Sequence, residues 1–394
     1  MVEILPFKGI IYNIEKIKNI SYVISPPWDM INDEIEKKLL SLSDYNIVKL
    51  IYKENYPEYV NEIFINWIKE KILIEEEKEY FYFLKGNFEY EGKVYKRIGI
   101  FGILKIEDFV KGNIIPHERI FPKYSDNRYK LLEKCRANFC PVFMLYKDKN
   151  FEVEEIVERY RFLYKGNINN ENFEFGRIEI ERDIEKIKNF FKKKIIFIAD
   201  GHHRYFASLN FYKNNPDRKN SFILVYLSNI ESEGVLILPT HRYIPSDAEI
   251  NFDEKFIDVS EVENLREIEK KIKNNEKERI IGMFYNEKFY ILEIKNYKKF
   301  LEEDLTLSKI DTYVVDNFII KNFVKINENV EFIYHSSKEF LLEEYKKRKK
   351  GIIFFLNPVE KDVFIEVCLT GKIMPAKSTY FYPKVPSGLV IYKF

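Results

Sequence analysis

The chain has 394 residues, of which 46% are hydrophobic and 32% are charged, and its 64 Lys and Arg nearly balance its 63 Asp and Glu. This length allows about two or three domains, and the balanced charge gives no overall basic field, so nucleic acid is not expected as a partner. Three cysteines without a CxxC pair argue against a disulfide framework and a cysteine-based zinc site, which favours a cytoplasmic location. No apolar run approaches the length of a membrane span, so no membrane partner is expected.

Strand-like and helical runs alternate along the chain, a pattern that favours an α/β or α+β architecture. In the first part we predict strands at residues 21–25, 80–84, 97–106 and 142–146, and helices at residues 34–42, 60–71, 126–138 and 152–160. The turn residues at 90–93 predict a hairpin. A strand at residues 195–200, a helix that begins at residue 202, and strands at residues 222–228 and 235–239 follow.

The last part of the chain is predicted to be an accessory region. Residues 246–350 are more charged and include an amphipathic helix at residues 261–278, and strands are predicted at residues 352–356 and 363–367. We therefore expect an N-terminal region at residues 1–245 and an accessory α/β region at residues 246–394.

The strongest functional signal is a run of polar residues at the end of a predicted buried strand. The strand stops at Asp200, the chain turns on Gly201, and a helix opens with His202, His203 and Arg204. Unpaired backbone N–H groups and the positive end of the helix dipole favour anions at such a helix start. The run therefore predicts a phosphate-binding cradle, although any one of these side chains alone could serve a purely structural role.

A second cluster, His117 and Glu118, lies on a predicted loop, with Lys123, Asp126 and Arg128 shortly beyond it. A carboxylate beside an imidazole suits proton abstraction or metal ligation. It is not the HExxH zinc motif, because residue 121 is not a histidine. Taken alone, such a pair is more often a surface pair than a site.

The third cluster is Lys377, Ser378 and Thr379, which is bracketed by Pro375 and Pro383. A cation with two hydroxyls in a stiff segment can hold phosphate or carboxylate oxygens with little reorganisation. On its own the cluster fits a functional role and a structural role equally well.

The three clusters belong to a longer set of segments by which the chain resembles the "domain of unknown function 1015" family almost from end to end. The segments are Leu-Pro-Phe-Lys-Gly at 5–9, Ser-Pro-Pro-Trp-Asp at 25–29, Asn-Ile-Val-Lys-Leu at 46–50, Pro-His-Glu-Arg at 116–119, Arg-Ala-Asn-Phe-Cys-Pro-Val-Phe at 136–143, Ala-Asp-Gly-His-His-Arg-Tyr at 199–205, Leu-Pro-Thr-His-Arg at 238–242 and Met-Pro-Ala-Lys-Ser-Thr-Tyr-Phe-Tyr-Pro-Lys at 374–384.

The order of the three clusters also resembles the ParB-like free serine kinases, which phosphorylate L-serine with a nucleotide donor. That resemblance implies an α+β fold with a ParB/sulfiredoxin-like catalytic core within residues 1–245. It also implies that the C-terminal segment of the accessory region returns to the active site, and it gives each cluster a role. It implies that Glu118, with His117 beside it, is the general base for the serine hydroxyl. The roles it implies for the other residues are nucleotide-phosphate binding by Gly201, His202, His203 and Arg204, catalysis and Mg²⁺ binding by Asp200, and binding of the phosphorylated product by Lys377, Ser378 and Thr379.

The resulting hypothesis is a kinase that transfers phosphate from ATP or ADP to L-serine or a similar metabolite, giving O-phosphoserine. Whether the chain forms a homodimer is left open by the sequence. Phosphoryl transfer requires a base near the nucleophile, an in-line donor and positive charge on the phosphate oxygens. One alternative is a ParB-type nucleotide-binding module without turnover. Another is a metallohydrolase that uses His117, Glu118, His202, His203 and His241, of which His241 has no counterpart among the serine kinases and could equally be structural.

Overall fold

The computed structural model describes residues 1–109, 112–119, 126–273, 279–295, 297, 304–326 and 330–394. It shows a mixed α+β protein whose chain divides into two compact units. Unit 1 comprises Met1–Pro116, Ile120–Leu236 and Pro383–Phe394, and unit 2 comprises His117–Arg119 and Ile237–Tyr382. Within the described ranges, no helix is both long enough and apolar enough to cross a bilayer.

Unit 1 contains most of the strands predicted in the first part of the chain. Its strands are β1 (Ile4–Leu5), β2 (Ile10–Tyr12), β3 (Leu73–Glu75), β4 (Phe81–Tyr90), β5 (Lys93–Lys105), β6 (Ile114–Ile115), β7 (Ala137–Asn138), β8 (Val142–Tyr146), β9 (Phe162–Ile168), β10 (Glu171–Ile178), β11 (Ile196–Asp200) and β12 (Phe222–Asn229). Its helices are α1 (Asp33–Leu42), α2 (Val48–Ile51), α3 (Pro57–Lys69), α4 (Asp126–Cys135), α5 (Glu152–Glu158), α6 (Glu181–Phe191) and α7 (His202–Asn214).

The main sheet of unit 1 has the strand order β6-β11-β8-β12-β5-β4-β10-β9, with β1 paired to β5. Neighbours in this sheet are antiparallel except for the parallel pairs β6 with β11 and β8 with β12. Apolar side chains of β8, β11 and β12 join those of α5, α6 and α7 in one buried core. The Asp200 turn therefore follows a strand that is held on both sides within the sheet.

Unit 2 is built around a second antiparallel sheet with the order β16-β18-β17-β21-β14-β20. Its strands are β13 (Leu236–Leu238), β14 (His241–Ile244), β15 (Ala248–Ile250), β16 (Ile257–Val262), β17 (Arg279–Tyr285), β18 (Lys288–Ile294), β19 (Val324–Ile326), β20 (Ile333–His335), β21 (Ile352–Phe355) and β22 (Tyr380–Tyr382). Its helices are α8 (Leu265–Lys273), α9 (Asp311–Val314), a π-helical turn (Val315–Ile320), α10 (Lys321–Phe323), α11 (Lys338–Arg348) and α12 (Lys361–Leu369).

The last twelve residues of the chain, Pro383–Phe394, belong to unit 1. Their strand β23 (Tyr392–Lys393) pairs with β7, and Ile391 forms a bridge to Ile10. A further bridge joins Ser387 to Ser25. The C-terminal segment is therefore fixed by backbone hydrogen bonds at several points along unit 1.

Three local predictions are confirmed. The predicted hairpin is formed by β4 and β5, whose turn places Glu91 and Gly92 at φ values of 48° and 75°. The strand, turn and helix around Asp200 are β11 and α7, which Gly201 joins in the left-handed conformation. Helix α1 starts where predicted, because the Asn32 side chain accepts a hydrogen bond from the Ile35 N–H and caps it.

Other element predictions are wrong. Residues 363–367 were predicted as a strand but lie in α12, where the buried Phe364, Val367 and Cys368 follow helical spacing. A short apolar run does not distinguish a strand from a buried helix by periodicity alone. Instead of the strand predicted at residues 21–25, a 3₁₀ turn spans Ile20–Tyr22.

Two helix boundaries also differ from prediction. Helix α4 ends at Cys135, because Arg136 adopts a φ of 50° and β7 follows it. The helix predicted at residues 261–278 begins only at Leu265, since β16 extends to Val262, and residues 274–278 lie outside the described ranges.

Candidate functional site

The turn after β11 requires glycine. Gly201 has a φ of 94°, and a Cβ at this position would lie 2.8 Å from the Nε of Arg204. Helix α7 starts at the next residue, so the backbone N–H groups of its first turn have no acceptor on a preceding helical turn. A helix start of this kind favours an anion.

Asp200 is surrounded by positive charge. Its Oδ2 lies 3.2 Å from Nη2 of Arg204 and 3.5 Å from Nζ of Lys384. Burial by itself raises the pKa of Asp200, but the charges of Lys384, Arg204 and His202 outweigh that effect and hold the pKa well below its usual range. Asp200 is therefore a carboxylate at neutral pH.

Lys384 was not among the predicted site residues. Its side chain is only 9% exposed, and Asp29 lies near its Nζ in addition to Asp200. It is held in place because the carbonyl of Pro383 accepts a hydrogen bond of 2.6 Å from the buried Arg97. The available sequence signal was a cation between two prolines in the segment at 374–384, only 10 residues from the C-terminus.

We expect Lys384→Met to lower the free energy of unfolding at pH 7 by about 1 to 3 kcal/mol, because Asp200 loses a charged partner. A carboxylate whose pKa is lowered by folding stabilises the protein above its ordinary pKa of 3.8 and ceases to do so as pH falls through the lower folded value. The difference between parent and variant in urea unfolding should therefore shrink below about pH 4.

Lys393→Met is the matched control, because this exposed lysine lies in the same C-terminal segment. It should change the unfolding free energy by less than about 0.5 kcal/mol at either pH. A difference for Lys384→Met that stays constant down to pH 2 would show that Asp200 is not its partner.

The other residues of this loop differ in exposure. His202 is buried, and His203 and Arg204 are partly exposed. The Arg204 guanidinium donates to the Pro141 carbonyl as well as to Asp200, so its orientation is fixed. The turn thus places His202, His203 and Arg204 directly after Asp200 and Gly201 in unit 1.

In unit 2, two of the other predicted residues meet across 262 positions of sequence. The Nε2 of His117 lies 2.9 Å from the Oγ1 of Thr379. His117 is fully buried, with its ring against the edges of Phe364 and Phe381, and its carbonyl accepts a hydrogen bond from the Met374 N–H. These contacts fix the backbone at residue 117, and Glu118 follows it with a partly exposed side chain.

The segment at residues 377–379 presents its side chains in different directions. Lys377 is exposed and has a φ of 56°. Ser378 is 1% exposed, and its hydroxyl is 2.7 Å from both the Thr312 hydroxyl and the Pro375 carbonyl. Arg242 donates to the carbonyls of residues 376 and 377. The segment is thus rigid, and Lys377 is its most accessible polar side chain.

His241 has a structural environment. Its Nδ1 accepts a hydrogen bond of 3.0 Å from the Leu356 N–H, and the residue is fully buried. Burial, followed by the nearby charges of Lys338 and His335, lowers the pKa of His241 to about 3, so the ring is neutral. Lys123 of the second sequence cluster lies outside the described residues.

The residues of unit 1 fit a magnesium ion that is held mainly by its substrate. Mg²⁺ commonly uses one or two carboxylates together with water and substrate phosphates. Asp200 offers one such carboxylate, and in the described part of the chain no group of three or more His, Cys, Asp or Glu residues is placed to hold a metal. A nucleotide would therefore have to supply most of the ligands.

A family model named "Protein of unknown function (DUF1015)" matches residues 4–313 of the chain. The chain belongs to this family. No curated protein matches it in sequence. The resemblance to the DUF1015 family is therefore confirmed over residues 4–313, which contain seven of the eight segments, whereas the segment at 374–384 lies beyond the match.

Solved structures with some likeness to this DUF1015 protein include three of interest. A conserved hypothetical protein from Pyrococcus furiosus is 13% identical, with 70% of this chain and 90% of that chain covered at a TM-score of 0.33. A free serine kinase in complex with AMP is 12% identical, and the match covers 70% of this chain and 89% of that chain at a TM-score of 0.33. SbnI with a C-terminal truncation, from Staphylococcus aureus, is 11% identical, and the match covers 69% of this chain and 81% of that chain at a TM-score of 0.32. At these TM-scores we draw no functional conclusion from the likeness.

Proposed function

We propose that this DUF1015 protein is a small-molecule kinase that transfers a phosphoryl group from ATP or ADP to the hydroxyl of free L-serine or a similar metabolite. The observation that carries the proposal is the cationic turn between β11 and α7. Asp200, Arg204 and Lys384 are fixed there beside the start of a helix, and the neighbouring His202 and His203 add further donors. Such a site suits a phosphate chain whose charge a bound Mg²⁺ partly neutralises.

The proposed chemistry assigns one task to each group. Glu118 accepts the proton of the acceptor hydroxyl, and the resulting oxygen attacks the terminal phosphorus of the donor. The bond between that phosphorus and the bridging oxygen breaks, so ATP leaves as ADP, or ADP as AMP. The basic residues at 202–204 stabilise the charge on the phosphate oxygens, and Lys377 and Thr379 bind the phosphorylated product.

The direct test is to incubate the full chain with Mg²⁺, ATP or ADP, and a panel of hydroxylated amino acids, and to detect phosphorylated product by mass spectrometry. O-phosphoserine formed in step with ADP or AMP is the expected result. Nucleotide binding without any phosphorylated acceptor would favour the alternative of a nucleotide-binding module without turnover.

His203→Ala is expected to weaken ADP binding by about 10- to 100-fold, because a charge-assisted hydrogen bond to phosphate contributes roughly 1.5 to 3 kcal/mol. Calorimetric titration with ADP measures the effect. The matched control is His335→Ala, since His335 is a partly exposed histidine of unit 2 whose Nδ1 accepts from the Ser337 N–H. Equal ADP affinity in both variants would place the nucleotide elsewhere.

The metallohydrolase alternative gains no support from the described residues. They contain no group of three potential ligands, and one of its five proposed residues, His241, already uses Nδ1 as an acceptor for a backbone N–H. Metal analysis of the purified protein tests this directly, because stoichiometric zinc or iron would be unexpected for a kinase that uses Mg²⁺.

A further inference from the structure

A cavity of about 60 Å³ opens in unit 1 beside Arg204, and residues of α2, α4, β7 and α7 line it. Apolar side chains form much of its wall, but Glu54, Arg128 and Trp28 also line it. None of these three was assigned a role from the sequence. Since one water requires roughly 10 to 15 Å³ of such volume, the cavity has room for about four to six atoms of that size.

Glu54 is a buried carboxylate that has no hydrogen bond within the described part of the protein. The residue is 8% exposed, and its nearest opposite charge is Nη1 of Arg128, 3.9 Å from its Oε2. That separation is too long for a hydrogen bond. Burial raises the pKa of Glu54, against the opposing charges of Arg128 and Arg204. Because so little of this carboxylate is exposed to water, a ligand that donates a hydrogen bond to it would be favoured.

Arg128 is in the complementary situation. Its guanidinium carbon lies over the Trp28 ring, 5.2 Å from the ring centroid, and its side chain is 19% exposed. No hydrogen bond from its N–H groups reaches another described residue. These N–H groups can therefore make a bidentate contact with a ligand carboxylate. Arg204, by contrast, already donates hydrogen bonds to Asp200 and to the Pro141 carbonyl.

We propose that this cavity binds a small α-amino acid as a zwitterion, with the ligand carboxylate on Arg128 and the ligand ammonium on Glu54. A simple anion would be repelled by the Glu54 carboxylate, and a simple cation would be repelled by the Arg128 guanidinium. A zwitterion carries both charges on groups bonded to one Cα, so Arg128 and Glu54 each gain a charge-assisted hydrogen bond. The volume matches the five heavy atoms that glycine, alanine and serine share, namely the nitrogen, the Cα and the carboxylate, so a side chain would have to lie at the opening of the cavity.

One further step rests on the proposed function: if the protein is a kinase, this cavity is where the phosphate acceptor binds. The amino acid would then be chosen by its two charged groups, whereas its side-chain hydroxyl remains available for reaction. The binding itself does not depend on nucleotide or on kinase activity, so it can be measured separately.

The test is calorimetric titration of the full chain with glycine, L-alanine and L-serine, without nucleotide. Ethanolamine lacks the carboxylate and lactate lacks the ammonium, so both should bind at least about 10-fold more weakly than the amino acids, because each leaves one charge unpaired. Arg128→Met and Glu54→Gln should weaken L-serine binding by a similar factor. Thermal unfolding checks that each variant is folded, and the ligand series on the parent remains decisive if a variant is not.

Lys134→Met and Glu58→Gln are matched controls, because these residues form a more exposed pair, also 3.9 Å apart, between α4, which also carries Arg128, and the start of α3. They should leave L-serine binding within about twofold, as expected for an exposed pair. Absence of binding by all three amino acids at millimolar concentration, or equal binding of lactate and L-serine, would overturn the proposal. Amino-acid binding without phosphorylation would refute the proposed kinase activity and leave the proposed amino-acid site intact. Phosphorylation of L-serine with an unchanged KM in Arg128→Met would refute the amino-acid site and leave the kinase activity intact.

Discussion

Replacing Glu118 with Gln should lower the turnover number for O-phosphoserine formation by about 10²- to 10⁴-fold, the usual contribution of a general base. The amide keeps the shape of the side chain but loses the basic oxygen. Affinity for ADP and ATP should stay within about threefold of the parent, because the proposal assigns nucleotide binding to other residues. Single-turnover kinetics and calorimetric titration measure the two quantities separately.

The control for this experiment is Glu360→Gln, an exposed carboxylate in unit 2 at the start of α12. It changes charge by the same amount and should leave turnover within about twofold, because surface substitutions of this kind have small effects. A Glu118→Gln variant that retains more than about a third of the parent rate would show that Glu118 is not the base. A large loss in nucleotide affinity would instead assign it to binding.

The parts of the site that the sequence predicted are local in sequence. The strand, the glycine turn and the helix around Asp200 lie within 19 residues, Ile196–Asn214, and each carries its own signal. The buried run indicates a strand, Gly201 indicates the turn, and the following residues form a helix. Local hydrogen bonding and steric constraints decide this geometry, so it can be predicted without the rest of the fold.

The parts that were missed depend on contacts between distant residues. Lys384 reaches Asp200 from 184 positions away, and Glu54, in the turn after α2, lies near Arg128 of α4. No spacing rule connects such residues in a single sequence. The contact of His117 with Thr379 is intermediate, since both residues had been singled out but nothing in the sequence placed them 2.9 Å apart.

A buried ion pair, Arg97 with Glu171, connects the core of unit 1 to the segment that carries Lys384. Nε and Nη2 of Arg97 lie 3.1 Å and 2.6 Å from the two carboxylate oxygens of Glu171, and both side chains are almost inaccessible to solvent. Gly86 makes room for the pair, because a Cβ there would lie only 1.8 Å from a Glu171 oxygen. Nη1 of Arg97 holds the carbonyl of Pro383.

Arg97→Met should therefore lower the free energy of unfolding by about 3 to 5 kcal/mol, because it leaves the Glu171 carboxylate buried without a counter-charge. Urea unfolding followed by tryptophan fluorescence measures this in unit 1, where both tryptophans of the chain, Trp28 and Trp67, lie. The control is Lys93→Met on the same strand, whose exposed pair with Glu233 should contribute less than about 1 kcal/mol. A loss below about 1 kcal/mol for Arg97→Met would refute the assignment.

Adding Glu171→Leu to Arg97→Met separates the two roles of the arginine. Removal of the orphaned carboxylate should restore part of the lost stability, since a buried ion pair can often be replaced by apolar side chains at little cost. The Pro383 carbonyl still lacks its donor in the double variant, so Lys384 is less firmly held beside Asp200. We expect the double variant to regain stability but to bind ADP more weakly than the parent. If it regained both stability and ADP affinity, the role of Arg97 would be only to balance the charge of Glu171.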